Sequence, residues 1–489
     1  MKTTIYASDY LKLDSDVYTG GGTDQTELLQ SLLDKAAEWG QLRLVMDGAA
    51  LVSGLKVHSN TTIECMNKGC GFYLKDNSDC AIITNYNPCY DEIKTRNITL
   101  IGGTYNHNCL NQEHHTYCYD VNLASCDNDK VENTGSEEKK PMRKLTVAID
   151  FYGIENLNVR DVTVRDQRTY AFTVGNFRHV NVENTYVELV NEIPEGNQDG
   201  FHFWGPGQFL TMRNIGGKTE DDFMNIGPDE RDGVSSITDV LIDGVFLDHA
   251  WQGIRLLSRG TGLLDRVTIR NVTGVYNAYG FYINPWFVDK TMGNFGNITF
   301  ENIDLRPEKD ILIPNYYIKS NPAFLFSIGG DFESLTFRNI SWYHSEDNRN
   351  IFQIGCPFHI PMLAFKDRKP RIKNMLIDGL KIIEDEKYNN ETMYMFVRGI
   401  VDRFAIRDLD VIRPEADKAS GRLLKVCPDA EIGKITLDRA DIENLKDVID
   451  ITEGVVDKVI LNNVLVNGVE ETVKGENYKA IIGKETKIN

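Results

Sequence analysis

One short pattern recurs along most of the chain: apolar–polar–apolar, a further polar residue, then Asn, Asp or Gly, then apolar again. It reads NITLIGGTY at 97, NLNVRDVTV at 156, HVNVENTYV at 179, FLTMRNIGG at 209 and DVLIDGVFL at 239. It continues as RVTIRNVTG at 266, NITFENIDL at 297, SLTFRNISW at 334, NMLIDGLKI at 374, RFAIRDLDV at 403, KITLDRADI at 434 and KVILNNVLV at 458. Strict alternation means a strand with one buried face. The Asn, Asp or Gly marks a tight turn where left-handed backbone angles are tolerated. From 156 onward the copies start 23 to 40 residues apart. The shortest spacings suit one bare coil of a parallel β-solenoid, and the longer ones add loops. A propeller needs about four strands per repeat, and a Rossmann or barrel fold needs a helix between strands. Neither fits.

Each coil of a solenoid buries its apolar face on its neighbours, so the ends need caps. The segment Asp24–Trp39 (DQTELLQSLLDKAAEW) supplies one. It reads as a single helix with Leu28, Leu29, Leu32, Leu33, Ala36 and Ala37 on one face, Asp24 or Thr23 at its start and Gly40 after its end. The expected organisation is one elongated domain over residues 1–489. Its cap region is 20–60, a long polar loop occupies 106–144, and residues 370–489 are scaffold coils.

Acidic residues outnumber basic ones by 72 to 53, for a net charge of -19. That field repels phosphate backbones and anionic lipid, so neither nucleic acid nor a membrane is an expected partner. No apolar run approaches the ~20 residues that span a bilayer. The first residues lack the apolar core of a signal peptide, so the expected location is the cytoplasm, unless a leader has been removed. The nine cysteines, seven of them between Cys65 and Cys126, read as thiols of a reducing compartment. The His107, Cys109, His114, His115 and Cys118 group fits no standard metal-ligand spacing, and no metal or other cofactor is expected. Asn-X-Ser/Thr matches such as those at Asn97 and Asn271 fall in the turn template and read as turn residues.

The chemistry concentrates between Asn197 and Glu230 (NQDGFHFWGPGQFLTMRNIGGKTEDDFMNIGPDE). Asp199 precedes Asp221 and Asp222 by about one coil, which stacks the three on neighbouring strands roughly 4.8 Å apart and turns them toward one outer face. Clustered carboxylates raise the pKa of one member and leave a protonated acid beside an ionised partner, which glycoside hydrolysis requires. Asp221 and Asp222 are adjacent, so a regular strand would bury one of them; the pair must sit at a strand start or bend. Asp and Asn are also common at solenoid turns for purely structural reasons.

These motifs resemble those of the polygalacturonase family, glycoside hydrolase family 28, within the pectin-lyase-like superfamily of right-handed parallel β-helices. The family carries Asn-Thr-Asp-Gly and, about one coil later, an Asp-Asp pair; this chain has Asn197-Gln198-Asp199-Gly200 and Glu220-Asp221-Asp222. The helix at 24–39 and the stretch from Asp47 also look like that superfamily. The resemblance implies an all-β right-handed parallel β-helix with an N-terminal capping helix. It implies Asp221 as general acid, with Asp199 and Asp222 holding the attacking water, and hence inversion.

Two departures bear on substrate. Where the family has Gly-His-Gly, this chain has Trp251-Gln252-Gly253, so Gln252 stands for the His. Where the family has an Arg-Ile-Lys that grips the uronate carboxylate, Tyr282 stands for the Arg and Asn284 for the Lys. The expectation is therefore an oligo- or polysaccharide cut at a neutral sugar, with Arg255 able to supply a relocated carboxylate contact. Trp204, Trp251, Tyr282 and Trp286 offer flat faces for pyranose rings, and His202, His249, Arg255, Asp229 and Glu230 offer hydrogen bonds; core packing is the plainer alternative for each aromatic. Other activities on this scaffold (lyase, epimerase, transglycosylase) and a non-catalytic carbohydrate-binding solenoid stay open on the sequence.

Overall fold

The sixth residue of every template copy turns left-handed. Positions 102, 161, 184, 214, 244, 271, 302, 339, 379, 408, 439 and 463 all have φ between 50° and 85°. Nearly all are Gly, Asn or Asp, the residues for which that conformation is cheap. Arg439 is the exception, at a cost of about 1 kcal/mol; its guanidinium holds Asp408 through two hydrogen bonds of 2.6 and 2.7 Å. The turn asparagines also bond to one another along the axis. Asn184 donates to Asp161 (3.1 Å) and Asn214 to Asn184 (3.4 Å). Asn302 donates to Asn271 (2.9 Å) and Asn339 to Asn302 (3.0 Å). The template is thus a turn signal and an amide ladder at once.

The computed structural model describes residues 3–113, 117–118, 142–143, 146–193, 197–285, 292–308, 324–344, 350–355, 369–384, 393–413, 421–451, 454–476 and 486–488. They form two compact units, Met1–Trp251 and Gln252–Asn489. Each winds as a right-handed parallel β-helix.

In the N-terminal unit four strands position the acid residues: β1 (Ile149–Arg160), β2 (Phe172–Glu183), β3 (Phe201–Lys218) and β4 (Asp222–Gly227). A fifth, β5 (Ile237–His249), continues the stack. All pair in parallel, and like residues sit over like. Leu157, Val180, Leu210 and Val240 form one buried column, and Val159, Val182, Met212 and Ile242 another. Each fully buried aliphatic contributes about 1.5–3 kcal/mol, so the stack is stabilised coil by coil.

The unit begins with α1 (Thr26–Leu33) and α2 (Lys35–Trp39). Leu29, Leu32, Leu33 and Ala36 are buried, whereas Leu28 and Ala37 face solvent. The single six-residue face expected from the sequence is therefore narrower and interrupted. The physical reason is angular: at about 100° per residue Leu29, Leu32, Leu33 and Ala36 fill an arc of about 100°, and Leu28 and Ala37 fall just outside it, one on each side. At Asp34 the two helices are separated by a turn in which Ala37 N–H bonds back to the Asp34 carbonyl (3.0 Å), an i to i−3 contact. The start is fixed by Asp24, whose carboxylate accepts from Thr26 N–H (3.0 Å) and Thr26 Oγ1 (2.6 Å), and Gly40 ends α2 at φ 80°. The cap works through side chains. Gln30 donates to the Lys56 carbonyl (3.0 Å) and accepts from the Lys56 N–H (2.9 Å). The strand Leu55–Val57, which pairs on its other side with Ile83–Asn85, so has its backbone groups satisfied by the helix.

The C-terminal unit repeats the winding. It contains β6 (Gln252–Leu257) and β7 (Tyr279–Asn284), and its last coils end in antiparallel pairings of Val459–Val466 with Val469–Glu476 and of Asp447–Ile451 with Thr486–Ile488. Most of the 106–144 segment lies outside the described residues. No described helix is long and apolar enough to cross a membrane.

Candidate active site

Two bends, one on each of two adjacent coils, assemble the acid residues. Asp199 and Gly200 lie on the bend that leads into β3; Asp221 lies on the bend that leads into β4, which starts at Asp222. The register is Phe201 beside Met224 and His202 beside Asn225, and Gly200 N–H donates to the Asp222 carbonyl (2.9 Å). Asp199 therefore comes alongside Asp222. Only glycine fits between them, because a Cβ at position 200 would stand 2.3 Å from the Phe223 carbonyl oxygen. The adjacency problem of Asp221 and Asp222 is solved by that bend: Asp222 is on the strand and buried, while Asp221 precedes it, half-buried, its carbonyl accepting from Thr219 Oγ1 (3.1 Å). Asp199 and Asp222 are each 2% exposed, so the pair is recessed rather than displayed on an open face.

A second carboxylate network runs from Asp199. Asn197 Nδ2 donates to Asp199 Oδ1 (3.0 Å), and Asp199 Oδ2 lies 3.3 Å from His202 Nδ1. His202 Nε2 lies 2.9 Å from Glu230 Oε2. The same Glu230 oxygen accepts from Trp204 Nε1 (3.0 Å) and Asn225 Nδ2 (3.2 Å). Glu230 reaches these groups from the turn after β4 because Gly227 has no side chain; a Cβ there would stand 2.6 Å from Glu230 Oε2. The His202 ring is stacked on Tyr170 at 4.4 Å and meets the edge of Trp204 at 5.1 Å. Trp204 packs with Val147, Tyr152 and Tyr170, and Tyr90 covers them. Trp204 is thus a packed residue with a polar anchor, 2% exposed.

The other residues singled out in the sequence belong to both units. Asp229 is buried in the turn that carries Glu230, its carbonyl accepting from Gly233 N–H (2.7 Å). His249 ends β5, half-buried, and its carbonyl accepts from Thr219 N–H (3.0 Å); Trp251 is half-buried on the following bend. In the C-terminal unit Arg255 and Tyr282 are register partners on β6 and β7, with the guanidinium 5.6 Å from the Tyr282 ring centre. Tyr282 stacks on Tyr279 at 4.6 Å. Gln252 and Asn284 are buried on the same two strands. Trp286 lies outside the described residues, as do His114 and His115. His107 is a buried structural residue: Nδ1 accepts from Arg168 N–H (2.9 Å) and Nε2 lies 3.0 Å from the Cys80 carbonyl. Among the described residues no group of His, Cys, Asp or Glu is placed to hold a metal.

Among the described residues, two carboxyls are pushed up toward neutrality. Burial and the adjacent negative charge of Asp221 push Glu220 up to about 7, against the pull of the Gln198 and Asn197 N–H groups. Burial pushes Asp150 on β1 up to about 7, with the Tyr152 hydroxyl opposing. A carboxyl whose folded-state pKa is raised binds its proton more tightly when folded, so its contribution to stability is present at low pH and lost as pH rises through 7. His107 acts in the opposite sense: burial lowers it to about 4, so its penalty has vanished above its unfolded value near 6.5. Between pH 6 and pH 8 denaturation is expected to show a loss of order 1 kcal/mol per raised carboxyl, offset in part by the His107 penalty that is still present at pH 6, and Glu220→Gln should remove its share of that slope. An unchanged slope in that variant would mean the Glu220 proton is not held by the fold.

Comparison with known proteins finds relatives over part of the chain. Residues 123–358 match the family described as glycosyl hydrolases family 28. A polygalacturonase of Brassica napus is 26% identical over 184 residues; the chain covers 44% of that relative's length with 37% of its own. Among solved structures, an exopolygalacturonase of Thermotoga maritima aligns over 100% of this chain and 96% of its own at 10% identity and TM-score 0.49. A family 28 exopolygalacturonase of Yersinia enterocolitica aligns over 99% and 80% at 14% identity and TM-score 0.45. The chain is a parallel β-helix. Residues 123–358 of it are similar to glycosyl hydrolases family 28, a match that spans just under half of the chain, and the curated relative it matches is a polygalacturonase of which it spans less than half the length.

Proposed function

We propose that the protein is a glycoside hydrolase that cleaves an oligo- or polysaccharide by inversion. The observation that carries this reading is the placement of Asp199 beside Asp222 on adjacent coils, with Asp221 on the bend between coils, inside the family-matched stretch. Asp221, the more accessible of the three, is the general acid toward the leaving oxygen. Asp199 and Asp222 activate the water on the opposite face of the ring, the division of roles that inversion needs. His202, held between Asp199 and Glu230, fixes the Asp199 carboxylate and limits its rotation.

The named relative is a polygalacturonase, so a pectic polysaccharide is the natural place to look for the substrate. The sugar at the cleaved bond is expected to be neutral. A buried uronate carboxylate needs a cation, since an unpaired buried charge costs several kcal/mol. The two positions where the family has cations are Tyr282 and Asn284 here. Assays on polygalacturonate and on a panel of neutral oligosaccharides should show at least about tenfold higher kcat/KM on a neutral member. Robust hydrolysis of polygalacturonate that is lost in Arg255→Ala would show instead that Arg255 has taken over the carboxylate contact. A product with near-ultraviolet absorbance would mean elimination, and the hydrolase reading would fall.

A further inference from the structure

Glu220 stands immediately before the Asp221–Asp222 pair and laces its bend to the neighbouring one. Its backbone N–H donates to the Gln198 carbonyl (3.2 Å), and its Oε2 accepts from the Gln198 N–H (3.5 Å). The Asn197 N–H donates to the same carboxylate. The first bend is anchored in turn. Gln198 Nε2 donates to the carbonyls of Gln167 (2.7 Å) and Asn191 (3.2 Å), and its Oε1 accepts from the Ile193 N–H (2.7 Å). Glu220 therefore holds the bend of Asp221 against the bend of Asp199, one coil away, while its own carboxyl lies beside the charge of Asp221. Two neighbouring carboxyls repel when both are ionised, so such a pair gives up its protons in two separated steps. The other charged groups near the bend do not cancel that repulsion. Glu192 adds negative charge and is itself tied to Lys218 at 2.7 Å. Asp199 is held by Asn197 Nδ2 and His202, and Asp222 is buried on β4. His249 meets the bend through its backbone carbonyl.

We propose that Glu220 is a positioning residue that shares one proton with Asp221 and so keeps the general acid supplied with that proton up to neutral pH. This rests on the hydrolase reading of the site given above. In the free protein the shared proton rests on Glu220, which burial and the Asp221 charge hold up to about pH 7. When a leaving oxygen accepts from Asp221, the proton is drawn to Asp221 through solvent, and the charge left on Glu220 is taken by the Asn197 and Gln198 N–H groups. The pair keeps one proton and one negative charge throughout that exchange. Once the proton has passed to the leaving oxygen both carboxyls are ionised, and their repulsion favours taking a new proton from water before the next turnover. The alkaline limb of the rate reports loss of the acid's proton. Without the Glu220 charge nothing on that side retains the proton, so the limb moves to lower pH.

Infrared spectroscopy against pH tests the pair without substrate. The difference between the parent and Glu220→Gln should show a carboxyl that ionises near pH 7; Asp150 ionises in the same range, is present in both proteins and cancels. In Asp221→Asn the Glu220 band should move to lower pH by at least about half a unit. Turnover gives the second reading, on whichever panel member, neutral oligosaccharide or polygalacturonate, is cleaved fastest. Glu220→Gln keeps an oxygen that accepts the Asn197 and Gln198 N–H groups, so the lacing of the bends survives. Its alkaline limb of kcat/KM should move down by at least about one pH unit, with a fall at pH 5 of no more than about fivefold. On a nitrophenyl glycoside, which needs little acid assistance, the two proteins should differ by less than about twofold at pH 7. Glu192→Gln, an exposed charge already paired with Lys218, should move the limb by less than about 0.3 unit. A Glu220 band that ignores Asp221→Asn, a limb unmoved in Glu220→Gln, or an equal loss on both substrates at every pH would overturn the proposal. Failure of the hydrolase reading would show elsewhere, as undiminished turnover in Asp221→Asn with the infrared coupling intact.

Discussion

Asp221→Asn is expected to lower turnover by at least about 10²-fold while oligosaccharide binding stays within a few-fold. The substitution keeps the size and the bend geometry, because the Asp221 contact to Thr219 Oγ1 is made by the backbone carbonyl. What it removes is the proton that the departing sugar oxygen must receive. Asp199→Asn and Asp222→Asn should fall by a similar factor, for a different reason: an amide cannot accept the proton of the attacking water. The distinction is measurable. A substrate with a good leaving group, such as a nitrophenyl glycoside, needs little acid assistance, so it should recover much of the lost rate in Asp221→Asn and little in the other two. Recovery in all three, or in none, would contradict the assignment of roles. Near-wild-type rates in all three variants would place the reaction elsewhere in the molecule.

The fold was legible because the signal is redundant. A turn residue at the sixth position of every copy and an apolar column through each strand repeat one instruction many times, and a local exception such as Arg439 does not obscure it. The acid residues were legible for a related reason. Coil length converts a separation in sequence into adjacency in space, so Asp199 and the Asp221–Asp222 pair could be placed together without knowing any side-chain contact. The bend that keeps both members of the pair useful followed from the cost of burying one of them.

What the sequence did not reveal depends on residues outside that repeat. Glu230 stood out only as one polar residue among several. Its position as acceptor for three side chains depends on Gly227 leaving room for it and on a turn whose path no periodicity encodes. Trp204 looked like a sugar platform because an isolated aromatic gives no hint of Tyr152 and Tyr90, which come from other coils and cover it. Asn225 could have been found by extending the alternation outward from His202 to the neighbouring coil, since the strand register places the two side by side. The helix was read with too wide a face: Leu28 and Ala37 fall at the two edges of the apolar arc, where a 3.6-residue period alone does not decide burial.

Glu230→Ala is expected to be the most damaging single change outside the acid residues. It takes away the carboxylate oxygen to which Trp204 Nε1 donates, which is also the acceptor of Asn225 Nδ2 and the neighbour of His202 Nε2. Trp204, His202 and Asn225 are each no more than 2% exposed, so water has poor access to the groups left behind. A buried donor without an acceptor costs about 1–3 kcal/mol. Part of that is recovered if water enters through the partly exposed side of Glu230, so a net loss of about 2–4 kcal/mol is expected in denaturant unfolding. The effect should also reach the chemistry, because His202 is the link between Glu230 and Asp199: once its far side is released, the Asp199 carboxylate loses a fixed neighbour, and kcat should fall with it. Glu230→Gln discriminates between the two consequences. It keeps an oxygen acceptor for Trp204 and most of the packing, so stability should be largely restored, while the lost charge beside His202 should leave kcat and its pH profile altered. If Glu230→Gln restored both completely, the carboxylate would be a structural acceptor only. If Glu230→Ala were as stable and as active as the parent, the network would have no role in holding Asp199.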